Sequence, residues 1–159
     1  YAFMLICVSQ GVYTVVAIAA VGICVPPLGL GLATLIGRKN FSSEEREAGK
    51  AALVMGCVGV TEGAIPFAAS DPLRVIPSIM IGSACGAVTA ALSGAQCYAG
   101  WGGLIVLPVV EGKLGYVAAV AVGAVVTAVC VNVLKSLARK KVSQVDEKED
   151  DLDLDFEMN

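Results

Sequence analysis

The sequence predicts an all-α, polytopic membrane protein whose transmembrane helices are interrupted by re-entrant or unwound hairpin segments. Three observations predict it. Of 159 residues, 57% are hydrophobic and only 16% charged, where soluble domains carry about 25% charged residues. Residues 1–37, 75–110 and 114–134 are free of charge, and about 20 apolar residues cross a bilayer as a helix. The stretch from Gly59 to Ser78 sets Glu62, Asp71 and Arg74 among Pro66, Pro72 and Pro77 in the middle of this apolar chain. A charge at bilayer depth costs on the order of 3 kcal/mol. Non-helical backbone persists there only inside protein or along a wet cavity. Charge and broken backbone together point to a polar site inside the membrane.

Taken in order, 2–24 reads as one membrane helix ended by Pro26-Pro27. Leu28 to Gly37 is short and reads as a half-span or the end of a tilted helix. Arg38-Lys39-Asn40-Phe41 opens a polar loop. Ser42 and Glu45 have capping-box spacing for a helix, and Glu44, Glu45 and Glu47 favour its positive end. That helix runs apolar from Gly49 to about Val60. A helix resumes at Ser78, with Gly82, Gly86, Ala90 and Gly94 as a stripe of small residues. Gly115, Ala119, Gly123 and Thr127 repeat the stripe on the last span, the spacing that lets membrane helices approach closely. Between them, Cys97-Tyr98-Ala99-Gly100-Trp101-Gly102-Gly103 is too glycine-rich for a lipid-facing helix and reads as a re-entrant hairpin. Leu114 to Leu134 is the clearest span, followed by Lys135, Arg139, Lys140 and Lys141. Residues 1–141 hold ten Lys/Arg and six Asp/Glu, whereas 142–159 hold one Lys and eight acids. The chain therefore divides into a membrane domain, 1–141, and an acidic tail, 142–159, expected to be disordered. No initiator Met precedes Tyr1, so a piece of a longer chain is expected.

Several function classes are excluded. There is no His, so no Ser/His/Asp set. The six cysteines stand singly in apolar runs, which argues against zinc or a disulfide framework. Gly31 to Gly37 with Arg38-Lys39 misses the spacing of a nucleotide loop. No basic-aromatic patch suggests nucleic acid. No cofactor and no catalytic residue are expected within the chain. The polar constellation that remains is Thr61, Glu62, Asp71, Arg74, Gln96, Trp101 and Glu111. A carboxylate at Glu62 accepts two hydroxyl donors with geometric specificity, and Gly63 beside it permits close backbone approach. The competing reading is a buried Glu62–Arg74 ion pair that holds the hairpin. Trp101 reads either as a ring that stacks on a ligand or as an interfacial belt residue. Asp71 and Arg74 read as a turn-stabilising pair.

Thr61-Glu62-Gly63-Ala64-Ile65-Pro66-Phe67 followed by Asp71-Pro72-Leu73-Arg74-Val75-Ile76-Pro77 resembles the signature of the fructose family of bacterial phosphotransferase-system permeases, in the membrane subunit called enzyme IIC. Val25-Pro26-Pro27-Leu28-Gly29 and Glu44 to Lys50 are similar to it too. The resemblance covers roughly residues 12–135 and matches the C-terminal half of such a subunit. It implies substrate-binding roles for Glu62, Thr61, Gly63, Trp101 and Arg74. Gly100-Trp101 stands where the family usually has Pro-His, a departure at the sugar-facing position. The implied function is translocation of a fructose-like sugar, or a related mannoside such as 2-O-mannosyl-glycerate with Arg74 on its carboxylate, coupled to phosphorylation. The implied partners are the sugar, enzyme IIB and IIA domains, the lipid membrane and a second copy of the full subunit. The implied location is the bacterial inner membrane with a cytoplasmic tail. A secondary transporter or channel without phosphotransfer and a non-transporting scaffold are the alternatives.

Overall fold

The computed structural model describes residues 2–157, with side chains described through Arg139. Its helices are α1 (Ala2–Ser9), α2 (Tyr13–Ile36), α3 (Ser43–Val58), α4 (Ile65–Ser70), α5 (Pro72–Leu92) and α6 (Lys113–Glu157). Two short strands, β1 (Gln96–Cys97) and β2 (Val110–Glu111), pair antiparallel. Tight 3-10 turns occupy Arg38–Asn40, Thr61–Ala64 and Leu104–Val109. Among the described residues, Tyr13–Ile36, Pro72–Leu92 and Lys113–Arg139 are long and apolar enough to cross a membrane.

The one helix expected over 2–24 is instead two. Gly11 adopts φ +75°, a conformation that glycine takes without a steric penalty, and the chain turns between α1 and α2. α2 then continues through Pro26 and Pro27, where the sequence predicts its end. Each proline lacks an N–H and so releases the carbonyl four residues before it. The hydroxyl of Thr61 lies 3.5 Å from the released Ile23 carbonyl, and both prolines are buried. Neighbouring groups of this kind are what let a membrane helix keep proline. Residues 28–36 are thus the end of one long helix.

α2 is the axis of the bundle. Of its most apolar stretch 67% is buried, against 28% for α5 and 39% for α6. The two small-residue stripes face each other. A Cβ on Gly82 would fall 2.8 Å from the Gly123 carbonyl and 1.8 Å from Thr127 Oγ1, and one on Gly86 would fall 3.1 Å from the Ala119 carbonyl. Gly29 of α2 lies against the same Thr127. Small side chains therefore bring three backbones together, as close helix packing in lipid requires.

α2 and α6 run in one direction and α5 in the other. At one end, Tyr13 packs on Tyr98, ring centroids 4.3 Å apart, and Gly115 meets Ser93. At the other, Asn132 Nδ2 donates to the Ala33 carbonyl at 3.1 Å and Arg139 to the Lys39 carbonyl at 2.9 Å. Both basic clusters, residues 38–50 and 135–139, thus share one end. The backbone of α6 runs on to Glu157, through the segment expected to be disordered.

Candidate functional site

Two hairpins enter the bundle from opposite ends and meet at their tips. The first begins at the basic end. Ser42 caps α3 in a complete capping box with Glu45. Gly59, at φ 88°, closes α3 as a left-handed C-cap. The chain returns through Thr61–Ala64 and α4. Its return is fixed at Ser70, whose hydroxyl donates to Glu45 Oε1 at 3.1 Å. Residues 43–70 therefore enter and leave at the same end.

Glu45 ties this mouth to α6. Lys135 Nζ lies 2.6 Å from Glu45 Oε1 and 4.2 Å from the centre of the Phe41 ring. Burial pushes the Glu45 carboxyl upward, but the Lys135 ammonium, the Ser42 N–H and the Ser70 hydroxyl outweigh it and hold the group below the usual carboxylate range. Neither charge is solvent-exposed to the degree of an ordinary surface pair.

The second hairpin hangs from the β1–β2 pair, in which Gln96 faces Glu111 and Cys97 faces Val110. At its base the Tyr98 hydroxyl donates to Glu111 at 2.5 Å, and that bond raises the phenol above its ordinary value. Its tip, Gly100 to Gly103, lies against the end of α3. A Cβ on Gly59 would fall 2.2 Å from the Gly102 carbonyl, and one on Gly103 would fall 2.7 Å from the Gly59 nitrogen. Only glycine permits backbones to cross this closely. The indole of Trp101 donates to the Val58 carbonyl at 3.0 Å. On the bundle side, the Gly103 N–H donates to Cys24 Sγ at 2.8 Å, and the Tyr116 hydroxyl donates to the Gly103 carbonyl at 3.1 Å.

Where the tips meet, beside Ile23 of α2, lies a cavity of ≈ 230 Å³ walled by Ile23, Gly59, Thr61, Glu62, Trp101 and Gly102. The structure thus brings together Thr61, Glu62 and Trp101 from separate hairpins. Glu62 is exposed and lines this space, and among the described residues no cation pairs with it. Gly63 stands beside it but faces the protein: its Cβ would meet Ala52 Cα at 3.0 Å and Met55 Cβ at 3.3 Å. Its close approach serves α3.

Arg74 does not join the group. It pairs with Asp71 at 2.7 Å, as a turn pair, and both line a separate cavity of ≈ 860 Å³ at the basic end with Lys135 and Arg139. The Glu62–Arg74 ion pair is absent for that reason. Gln96 and Glu111 lie at the hairpin base, away from the tip. Sequence reasoning missed Cys24, Tyr116 and the Glu45–Lys135 bridge. Tyr116 carried a faint signal, as a hydroxyl in an otherwise apolar span. Cys24 carried none.

No family model and no solved structure matches the chain. Over its full length the chain is 91% identical to the "Fructose-like permease IIC component 2" of Escherichia coli K12, of which it covers 44%. It is 47% identical over 138 residues to the "PTS system fructose-specific EIIB'BC component" of Xanthomonas campestris, covering 85% of the chain and 24% of that relative. It is 36% identical over 135 residues to the "PTS system fructose-specific EIIC component" of Haloferax volcanii, covering 85% of the chain and 36% of that relative. The chain spans less than half the length of each of these relatives.

Proposed function

The chain belongs to the fructose family of phosphotransferase-system permeases, as part of the membrane subunit, and we propose that the cavity between its two hairpin tips binds the sugar. The observation that carries this is Glu62. It is a carboxylate without a cation among the described residues, set in broken backbone, and it faces a cavity bounded by an indole and a hydroxyl. Such a group is costly in a membrane protein unless it serves a wet or ligand-filled site. Glu62 accepts hydrogen bonds from two sugar hydroxyls, Thr61 offers a further donor or acceptor, and Trp101 provides an apolar face. No described cation lines this cavity to receive a glycerate carboxylate. The proposed ligand is a fructose-like sugar, with a related mannoside such as 2-O-mannosyl-glycerate as the alternative.

The same tips suggest how the sugar passes. Parting the contact between Gly59 and Gly102-Gly103 opens the cavity toward one end or the other. An excess of Lys/Arg marks the cytoplasmic side of membrane proteins. We place the shared basic end, and with it the tail 142–159, in the cytoplasm of a bacterial inner membrane. The ≈ 860 Å³ cavity at that end faces the enzyme IIB partner, whose phosphocysteine phosphorylates the sugar and which is recharged through enzyme IIA. The full subunit is proposed to act as a homodimer.

The deciding experiment measures sugar binding and transport by the full-length subunit with Glu62 replaced by Gln. A well-folded E62Q subunit that binds fructose-like sugars with wild-type affinity refutes the assignment. Transport of unphosphorylated sugar without enzyme IIB would instead indicate a secondary transporter.

A further inference from the structure

A smaller cavity, ≈ 350 Å³, opens at the basic end where α2 and α3 diverge. Its floor is fixed by direct helix contact. A Cβ on Gly49 would fall 2.1 Å from Thr34 Oγ1, and one on Gly31 would fall 2.9 Å from the Gly49 carbonyl. Arg38, Arg46 and Lys50 line the walls, with Glu47 as the lining acid. Glu47 is engaged by Lys50 at 2.7 Å. The Arg46 Nε reaches the Ser42 carbonyl at 3.3 Å. Among the described residues, neither Arg38 nor Arg46 forms an ion pair with a carboxylate.

The neighbouring side chains are of the opposite kind. Leu35 and Ile36, in the last turn of α2 just before Arg38, are 45% and 71% exposed, and Val54, one turn along α3 from Lys50, is 67% exposed. Cations therefore sit immediately above outward-facing apolar side chains on a membrane helix and its neighbour. That juxtaposition fits an amphiphile with an anionic head and an acyl tail. Guanidinium forks match phosphate oxygens bidentately, and basic pockets between helices on the cytoplasmic side of membranes hold anionic headgroups.

We propose that this cleft binds the phosphodiester headgroup of an anionic phospholipid, with an acyl chain lying along Leu35, Ile36 and Val54. The site is separate from the sugar cavity and does not depend on it. A free phosphate shares the headgroup chemistry but has no use for the apolar side chains.

The test uses the purified full-length membrane subunit in detergent, with phosphatidylglycerol or phosphatidylcholine added and retained lipid read by native mass spectrometry. Removing a Lys or Arg near an anionic surface costs about fivefold in affinity. Arg38→Gln with Arg46→Gln is expected to weaken phosphatidylglycerol retention roughly 25-fold and to leave phosphatidylcholine unchanged. Lys39→Gln with Arg139→Gln removes equal charge from the same end outside this cleft and is expected to retain the lipid. Both arginines are exposed, so folding is expected to persist, and a melting curve checks it. Should the double variant not fold, Arg38→Gln alone reads the same effect at about fivefold. Equal losses in the two variants, or no loss in either, overturn the proposal. Displacement of the lipid by millimolar inorganic phosphate would assign the cleft to a free phosphate and equally overturn it.

Discussion

The indole nitrogen of Trp101 donates to the Val58 carbonyl at 3.0 Å, across 43 positions of sequence. This bond joins the tip of one hairpin to the end of the other, at the rim of the Glu62 cavity. It gives Trp101 a structural task in addition to any contact with sugar.

Trp101→Phe keeps an aromatic face and removes the donor. A net hydrogen bond is worth about 0.5–1.5 kcal/mol, so thermal stability is expected to fall by about that amount. Sugar affinity should change by less than roughly tenfold, since the stacking face remains. Melting curves and equilibrium binding on the same sample separate the two. A loss of binding beyond a hundredfold with unchanged melting would show that the indole N–H serves the sugar.

Glu62→Gln should separate affinity from stability. Losing one charge-assisted bond costs roughly 1.5–3 kcal/mol, or about ten- to a hundredfold in sugar affinity. The melting temperature should hold, because among the described residues Glu62 forms no ion pair. Arg74→Gln is expected to behave in the opposite way, disturbing the Asp71 turn and leaving affinity nearly intact. Recovery of stability in the Glu62→Gln, Arg74→Gln double variant would contradict the geometry described.

Lys135→Met should weaken the basic end. Breaking one partner of a buried pair costs roughly 3–5 kcal/mol. The Lys135 and Glu45 side chains are 9% and 18% exposed, so a loss near about 3 kcal/mol is expected. The pH dependence follows from the lowered Glu45 carboxyl. Its contribution is present at neutral pH, starts to fade as pH drops through the ordinary carboxylate value of about 4.3, and is gone below the depressed native value. The denaturation midpoints of wild type and Lys135→Met should therefore draw together as pH falls below the ordinary carboxylate value of about 4.3.

Gly82→Ala tests the packing of α5 on α6. Its Cβ would press on Thr127 and on the Gly123 carbonyl. Thr127 can turn, but the carbonyl is backbone. Overpacking of this kind costs typically 1–3 kcal/mol, measurable as a lower melting temperature in detergent. Gly22→Ala, where a Cβ meets nothing within 4 Å, is the control and should be neutral or slightly stabilising.

Much of the architecture was legible because its signals are local. Uncharged length marked the three spans, since a bilayer requires about 20 apolar residues in a helix. Ser42 and Glu45 announced their cap, and the Gly82 and Gly123 stripes announced a close crossing. Glu62 stood out as a charge where charge is costly. The tertiary structure decided the rest. Pro26-Pro27 did not end α2, because surrounding packing and the Thr61 hydroxyl offset what proline removes, and no neighbour at position 61 can be read from position 26. Arg74 left Glu62 for Asp71, because the return of the first hairpin carries it to the basic end. The meeting of Val58 with Trp101, and of Cys24 with Gly103 and Tyr116, depends on two hairpins entering from opposite ends. Backbone carbonyls and a lone buried thiol carry no sequence pattern, so only the folded chain shows which of them build the site.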